Sequence, residues 1–225
     1  YTFLGELALL LMMQAGALGY LTLGTFVAIA LSDKVTPRRA QITRTAFGLP
    51  DGIDVKRLIK HVVIFTVSIE ALGVAALYPQ FVAEGVENPL WMAVFHSVSS
   101  FCTAGVSLFA TSFEDFGDNP LLLMTVAALS WSGALGFLVL SETADLLRRK
   151  RQGLGFTSRV ALVVIGGYTL VVTAILLAVE PAIQALPPQD RFWNALFTTM
   201  SAGTTVGFNT VQVAALTPAV IVVLY

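Results

Sequence analysis

The sequence predicts an all-α integral membrane protein made of tandem, parallel units of span, re-entrant loop and span. Three observations lead there. First, charge is scarce: 12% of the 225 residues are charged and 56% are hydrophobic, against roughly 25% charged in a soluble domain. Such a chain has too little polar surface to cover itself in water. Second, the apolar residues are gathered into blocks of bilayer length. Third, two shorter apolar stretches repeat one another at a fixed offset.

The blocks come in order. Residues 3–31 hold one charge, Glu6; residues 62–78 hold Glu70; residues 120–143 hold Glu142; residues 160–179 hold none. A helix needs roughly 20 apolar residues to cross a hydrocarbon layer of ~30 Å, and each block reaches or approaches that length. Residues 1–32 therefore read as the inner span of a truncated first unit, and 33–57 as a basic cytoplasmic loop. Residues 58–147 form a complete second unit with its re-entrant loop at 89–109. Residues 148–159 are a second basic cytoplasmic loop. Residues 160–225 are a third unit, with a re-entrant loop at 192–210 and the start of an inner span. Because the chain opens and closes inside apolar blocks, it is expected to be an excerpt of a longer protein.

Charge placement orients these spans. Twelve of the 13 Lys and Arg residues stand in or beside two loops: Lys34 to Lys60 after the first span, and Arg148 to Arg159 after the third. Positive charge marks the cytoplasmic side. The other loops carry Glu84, Glu87, Glu114, Asp115, Asp118 and Asp190 against the single Arg191, and are expected outside. The long first loop is punctuated by Pro37 and Pro50-Asp51-Gly52, with residues 38–47 as a possible short helix along the membrane. It reads as a solvated basic segment that sets orientation.

Several classes are excluded or disfavoured. One cysteine, Cys102, permits no internal disulfide and disfavours a structural zinc site. A net charge of −1 implies no nucleic-acid partner. No basic segment precedes the first apolar block, so no cleavable signal peptide is visible. No carboxylate pair, metal-ligand cluster or Ser/His/Asp set falls at membrane depth, so an enzyme is not expected.

The repeats are the most informative signal. At an offset of 102 residues Trp91 falls on Trp193, Phe95 on Phe197, Ser99 on Ser201, Thr103 on Thr205 and Gly105 on Gly207. A second match pairs Gly16-Ala17-Leu18-Gly19 with Gly133-Ala134-Leu135-Gly136. Both matching spans run inward, so the repeats are parallel. The stretches from Trp91 and Trp193 are too short to span and must return to the outer side. Each helix would then end partway through the bilayer. Non-helical backbone at that depth survives only inside protein or beside water. The C-terminal end of a helix carries roughly half a negative charge, and a following strand can offer carbonyl oxygens in place of a cation's hydration shell. Gly105 and Gly207 supply the backbone freedom this requires.

Two motifs, Phe95-His96-Ser97-Val98-Ser99-Ser100-Phe101-Cys102-Thr103-Ala104-Gly105 and Thr204-Thr205-Val206-Gly207-Phe208-Asn209-Thr210-Val211, resemble the second and third pore loops of the Trk/Ktr/HKT superfamily of potassium and sodium transporters. Residues 14–20 resemble its inner span after the first filter, and residues 64–70 its outer helix of the second unit. The resemblance runs the length of the chain, although Val106, Ser107 and Val206 depart from the family's usual residues. It implies four span–pore loop–span units around a central pore, each lending one strand to a selectivity filter. It further implies uptake of a monovalent cation, potassium foremost, across the cell membrane, by a channel or a symporter-like carrier. K+ would be bound at carbonyls of Cys102, Thr103, Ala104, Gly105, Val106, Thr205, Val206, Gly207 and Phe208 as the transported ion, with no covalently held cofactor. Asn209, Ser99 and Ser201 would support the filter. Expected partners are membrane lipid, a second copy in a homodimer, and a cytoplasmic ring of nucleotide-binding regulatory subunits touching the basic loops.

Other residues have plainer readings. Glu70, which costs roughly 2.5–3.5 kcal/mol at the centre of a span, reads as a structural hydrogen-bonding group, and His96 as a packed pore-helix residue. Cys102 reads as a small buried side chain. The glycine pairs Gly16/Gly19 and Gly133/Gly136 read as points of close helix approach. Gly73→Ser, on an outer helix, is expected to alter flux little. Trp91, Trp193 and Tyr78 suit an interfacial belt. The rival function is a secondary transporter binding its substrate at broken helices near the midplane. That class often uses inverted repeats.

Overall fold

A computed structural model describes residues 2–32, 55–149 and 152–224, with side chains described for all of these except 18–32, 55–59, 138 and 223. The basic residues Lys34 to Arg44, the segment 38–47, Pro50 to Gly52, Lys150 and Arg151 lie outside the described residues, as does the side-chain environment of Leu18–Leu31. Every regular element among the described residues is helical. The chain divides into two compact units, residues 2–68 and residues 69–225, the boundary falling inside a helix.

The first unit holds α1, Phe3–Ser32, and the opening turns of α2, Val55–Ala83. Thr2 caps α1 through its carbonyl, which accepts from the Glu6 amide at 3.0 Å. Helix α2 begins before Lys60, so the first basic loop gives way to helix within its own last residues. Gly85, at φ 68°, closes α2, and the Val86 amide returns to the Phe81 carbonyl at 2.9 Å, a left-handed glycine stop.

The second unit follows in sequence: α3, Pro89–Phe101; a 3-10 turn, Glu114–Phe116; α4, Pro120–Leu147; α5, Phe156–Val179; α6, Pro181–Gln184; α7, Pro188–Gly203; a 3-10 turn, Val213–Ala215; and α8, Pro218–Leu224. Helices α3 to α8, α5 excepted, open on proline, whose fixed φ suits the first turn and whose missing N–H leaves no donor unpaired there. Asn119 adds a side-chain cap, accepting from the Leu122 amide at 3.1 Å. Lys60–Ala83, Pro120–Phe137 and Phe156–Val179 are long and apolar enough to cross a membrane.

Helix α3 packs on α4, α4 on α7, and α7 on α5. One core gathers Leu77 and Phe81 of α2, Phe113 and Phe116 of the outer loop, Leu123 and Val126 of α4, Met200 of α7, and Val206 and Phe208 beyond it. A second joins Leu176, Ile183, Ala195 and Val220. Among lipids, contact of this kind stabilises by van der Waals fit rather than by exclusion of water. The outer face of α5 is left apolar and exposed at Val163, Val164, Leu170 and Val171.

The glycines refine the sequence reading. A Cβ on Gly133 would overlap the Phe101 carbonyl, so α4 does approach the end of α3 there. Gly136 has open space around it and instead breaks α4, at φ 75° and ψ 168°. Gly16 likewise has nothing near its Cβ position among the described residues. Gly73 is the reverse case: a Cβ would overlap the Ser97 hydroxyl and lie 2.8 Å from Leu129. It permits the outer helix to touch α3 and is not a neutral position.

Candidate functional site

The site is built twice, from α3 and α7. At 13 and 16 residues they extend about 20 and 24 Å at 1.5 Å per residue, short of a ~30 Å crossing. Both end in the same way. The Cys102 amide donates to the Val98 carbonyl at 2.8 Å and Thr103 to Ser100 at 3.1 Å; Thr204 donates to Met200 at 2.9 Å and Thr205 to Ala202 at 3.0 Å.

The backbone beyond each helix carries the same sequence of conformations. Thr103 and Gly105 have φ of 49° and 65°; Thr205 and Gly207 have φ of 58° and 82°. Ala104, Val106, Val206 and Phe208 are not left-handed. For glycine a positive φ is free. For a β-branched threonine it is a true outlier, of order 1–3 kcal/mol, and persists only where the surroundings hold it.

Hydroxyls on the helices hold it. Ser99 Oγ donates to the Val106 carbonyl at 2.7 Å, and Ser201 Oγ donates to the Phe208 carbonyl at 2.5 Å. Both serines are buried. The carbonyls of Val106 and Phe208 are thus turned onto the helix hydroxyls, and these two residues anchor their strands. The Val206 and Phe208 side chains are buried in the core, whereas Thr205 and Gly207 are open. Ala104 is also open, and Cys102 is half-buried with its Sγ 4.0 Å from Glu70 Oε1. The two strands touch one another: a Cβ on Gly105 would overlap the Val206 carbonyl, while one on Gly207 would meet nothing within 4 Å.

Behind the strands the repeats part. His96 is fully buried and accepts from the Leu108 amide through Nε2 at 3.3 Å. That acceptance leaves Nδ1 to carry the proton and donate to the Met92 carbonyl at 2.9 Å. Nε2 also lies 3.1 Å from Ser107 Oγ, and the ring stacks on Phe109 at 4.6 Å. The counterpart of His96 is Thr198, whose buried Oγ1 makes no hydrogen bond among the described residues. Beyond α7 it is Asn209 that makes a polar contact, with a remote segment: its Nδ2 donates to Glu114 Oε1 at 2.7 Å.

Glu70 is buried on α2, its carbonyl accepting from Ser97 Oγ at 2.8 Å. Glu180 has no exposed surface and accepts from the Ala182 amide, the Thr217 amide and the Thr217 hydroxyl. Burial of a carboxylate requires such partners, and here they tie the end of α5 to the start of α8. Sequence reasoning passed over Glu180, Asn194, Ser112 and Phe113. Glu114 was legible only as one outer acid among several, because each of the five has a partner remote in sequence.

Two short helices, each followed by a serine-anchored strand of alternating handedness, stand among helices long and apolar enough to cross a membrane, and together they define a multi-pass membrane protein. The chain belongs to the TrkH family of cation transport proteins, which it matches over residues 51–225. It is 30% identical to the Ktr system potassium uptake protein B of Vibrio alginolyticus, with all of this chain and 50% of that protein aligned. It is 30% identical to the potassium/sodium uptake protein NtpJ of Enterococcus hirae over 74% of this chain and 38% of that one. A Bacillus subtilis Ktr system potassium uptake protein B is 24% identical over 94% of this chain and 48% of its own length. The chain thus spans about half the length of the curated relatives it matches.

Proposed function

We propose that this protein carries monovalent cations, potassium foremost, into the cell through a filter lined by backbone carbonyls of residues 102–105 and 204–207. The observation that carries this reading is the duplicated strand. A β-strand points successive groups to opposite sides. Alternating signs of φ at Thr103, Ala104, Gly105 and at Thr205, Val206, Gly207 break that period and let neighbouring carbonyls aim the same way. A row of aligned carbonyls at the negative end of a helix replaces the hydration shell of a bare cation. Val106 and Phe208, whose carbonyls accept from Ser99 and Ser201, fasten the row and stand outside it.

The relatives' names agree in class, since they are potassium or potassium/sodium uptake proteins. K+ is then cargo, and no resident cofactor enters. Assembly as a homodimer on a nucleotide-binding cytoplasmic ring, contacted by the basic loops at 33–57 and 148–159, belongs to the same proposal. The test is rubidium uptake, with potassium and sodium as competitors, by the complete protein and by Gly207→Ser. The substituted strand should raise sodium flux relative to rubidium by about tenfold, since discrimination depends on the number and orientation of oxygens around the ion. An unchanged ratio removes these loops from the filter.

A further inference from the structure

The third unit's strand is held by a neighbour, and the contacts point to a role for the outer loop of the second unit. Residues 109–117 leave the second filter strand and reach across to the third. Glu114 Oε1 accepts from Asn209 Nδ2 at 2.7 Å. Ser112 Oγ accepts from the Asn209 amide at 3.2 Å, and the Phe113 amide donates to the Asn209 carbonyl at 3.0 Å. All three polar groups of Asn209 that reach this loop are on the residue two places after Gly207. Further along, Asn194 Nδ2 of α7 donates to the Gly117 carbonyl at 2.7 Å.

A wedge completes the clasp. Phe113 is fully buried, with its ring centroid 4.9 Å from Phe208 and 6.1 Å from Phe197, edge-on to both. On its other side it stands 5.3 Å from His96, also edge-on. One side chain therefore lies between the brace of the second strand and the anchor of the third. Ser112 holds φ 59° to bring this about, a conformation that a non-glycine residue keeps only when its contacts determine it. Residues 210–217, the corresponding loop of the third unit, contain no acidic residue.

Resting on the filter reading above, we propose that Glu114 is a positioning residue for ion selectivity. From the outer loop of one unit it fixes, through Asn209, the strand contributed by the next. It touches no ion. Its part is to hold the end of a strand whose Gly207 leaves the backbone free to move. Its carboxylate also lies at the outer side, where a bare negative charge could merely attract cations. The experiment separates the two.

Glu114→Gln removes the charge and keeps an acceptor oxygen at the same reach. Glu114→Asp keeps the charge and withdraws it by one methylene. Each is measured in the complete protein as the rubidium-to-sodium flux ratio, which does not depend on the amount of protein in the membrane. We expect Glu114→Asp to lower the ratio about three- to tenfold, the range set by one hydrogen bond of ordinary strength, and Glu114→Gln to stay near the parent. Asn209→Ala should lower it as far as Glu114→Asp, and the two together should go little further. A ratio held by Asp and lost by Gln, lost equally by both, or kept by both overturns the assignment. Gly207→Ser is the internal reference: if it too leaves the ratio untouched, the filter reading fails and not the clasp alone.

Discussion

Thr103 and Thr205 occupy a region of backbone space that β-branched residues avoid, and each is followed two places on by a glycine in the same region. The glycines are not equivalent. Gly105 abuts the Val206 carbonyl, whereas Gly207 faces open space. From the motifs alone, serine at either position is expected to reach the membrane at near-normal levels. The geometry separates them. Gly105→Ser must displace backbone of the neighbouring strand as well as adopt φ 65°, and overpacking of that kind costs about 1–3 kcal/mol. It should therefore lower both the yield of folded protein and its thermal midpoint further than Gly207→Ser, which carries the cost of φ 82° alone and changes ion preference. Size-exclusion yield after a temperature series, alongside rubidium uptake, checks both. Equal yields would mean that the strands separate easily. Thr205→Ala, which keeps its carbonyl, should be milder than either. The matched serines and glycines were legible in the sequence because a fixed offset of 102 residues superposes them; the bonds from those serines to the Val106 and Phe208 carbonyls were not. The left-handed threonines were not, since residue type argues against that conformation and only the surrounding contacts impose it.

At the scale of elements, the long helices were legible because apolar length sets a span. The ends of α3 at Phe101 and of α7 at Gly203 follow from the same Thr-x-Gly continuation in both repeats. The break in α4 was not legible. Gly133 and Gly136 sit in a run matched by Gly16 and Gly19, yet one permits contact with the Phe101 carbonyl and the other kinks the helix. A kink and a contact ask for the same residue, and spacing does not tell them apart. Two substitutions follow. Gly136→Ala places a Cβ on a residue at φ 75° and ψ 168°, a region open essentially to glycine alone, and should cost about 1–3 kcal/mol or drive α4 toward a straight helix. Gly73→Ser should destabilise as well, because its side chain meets Ser97 and Leu129. Melting of the purified protein in detergent tests both. A Gly73→Ser variant that melts with the parent would show that α2 can retreat from α3 at no cost.

At the scale of the whole molecule, the alternation of basic and acidic loops gives a sidedness that packing does not. Asn119 Nδ2 donates to Glu84 Oε1 at 2.7 Å, so the end of α2 and the start of α4 share one end of the unit. Arg148 and Arg149 stand at the other end of α4, beyond Leu147. The positive-inside rule puts the first of these ends outside. Cysteines introduced singly at Glu87 and Arg159, with Cys102 replaced, should react with an impermeant maleimide in intact cells at Glu87 only. Reaction at Arg159 without permeabilisation would invert the arrangement.

The two strands are alike where they are anchored and unlike where they are braced: Ser99 and Ser201 do one job, but His96 answers to Thr198, and Glu114 to no acid in the third loop. A ring assembled from identical chains receives every mutation in all of its members at once. Strands written one after another in a single chain receive it singly. If the strands line the proposed filter, natural variation can retune it by one strand's worth at a time, and its asymmetry becomes heritable.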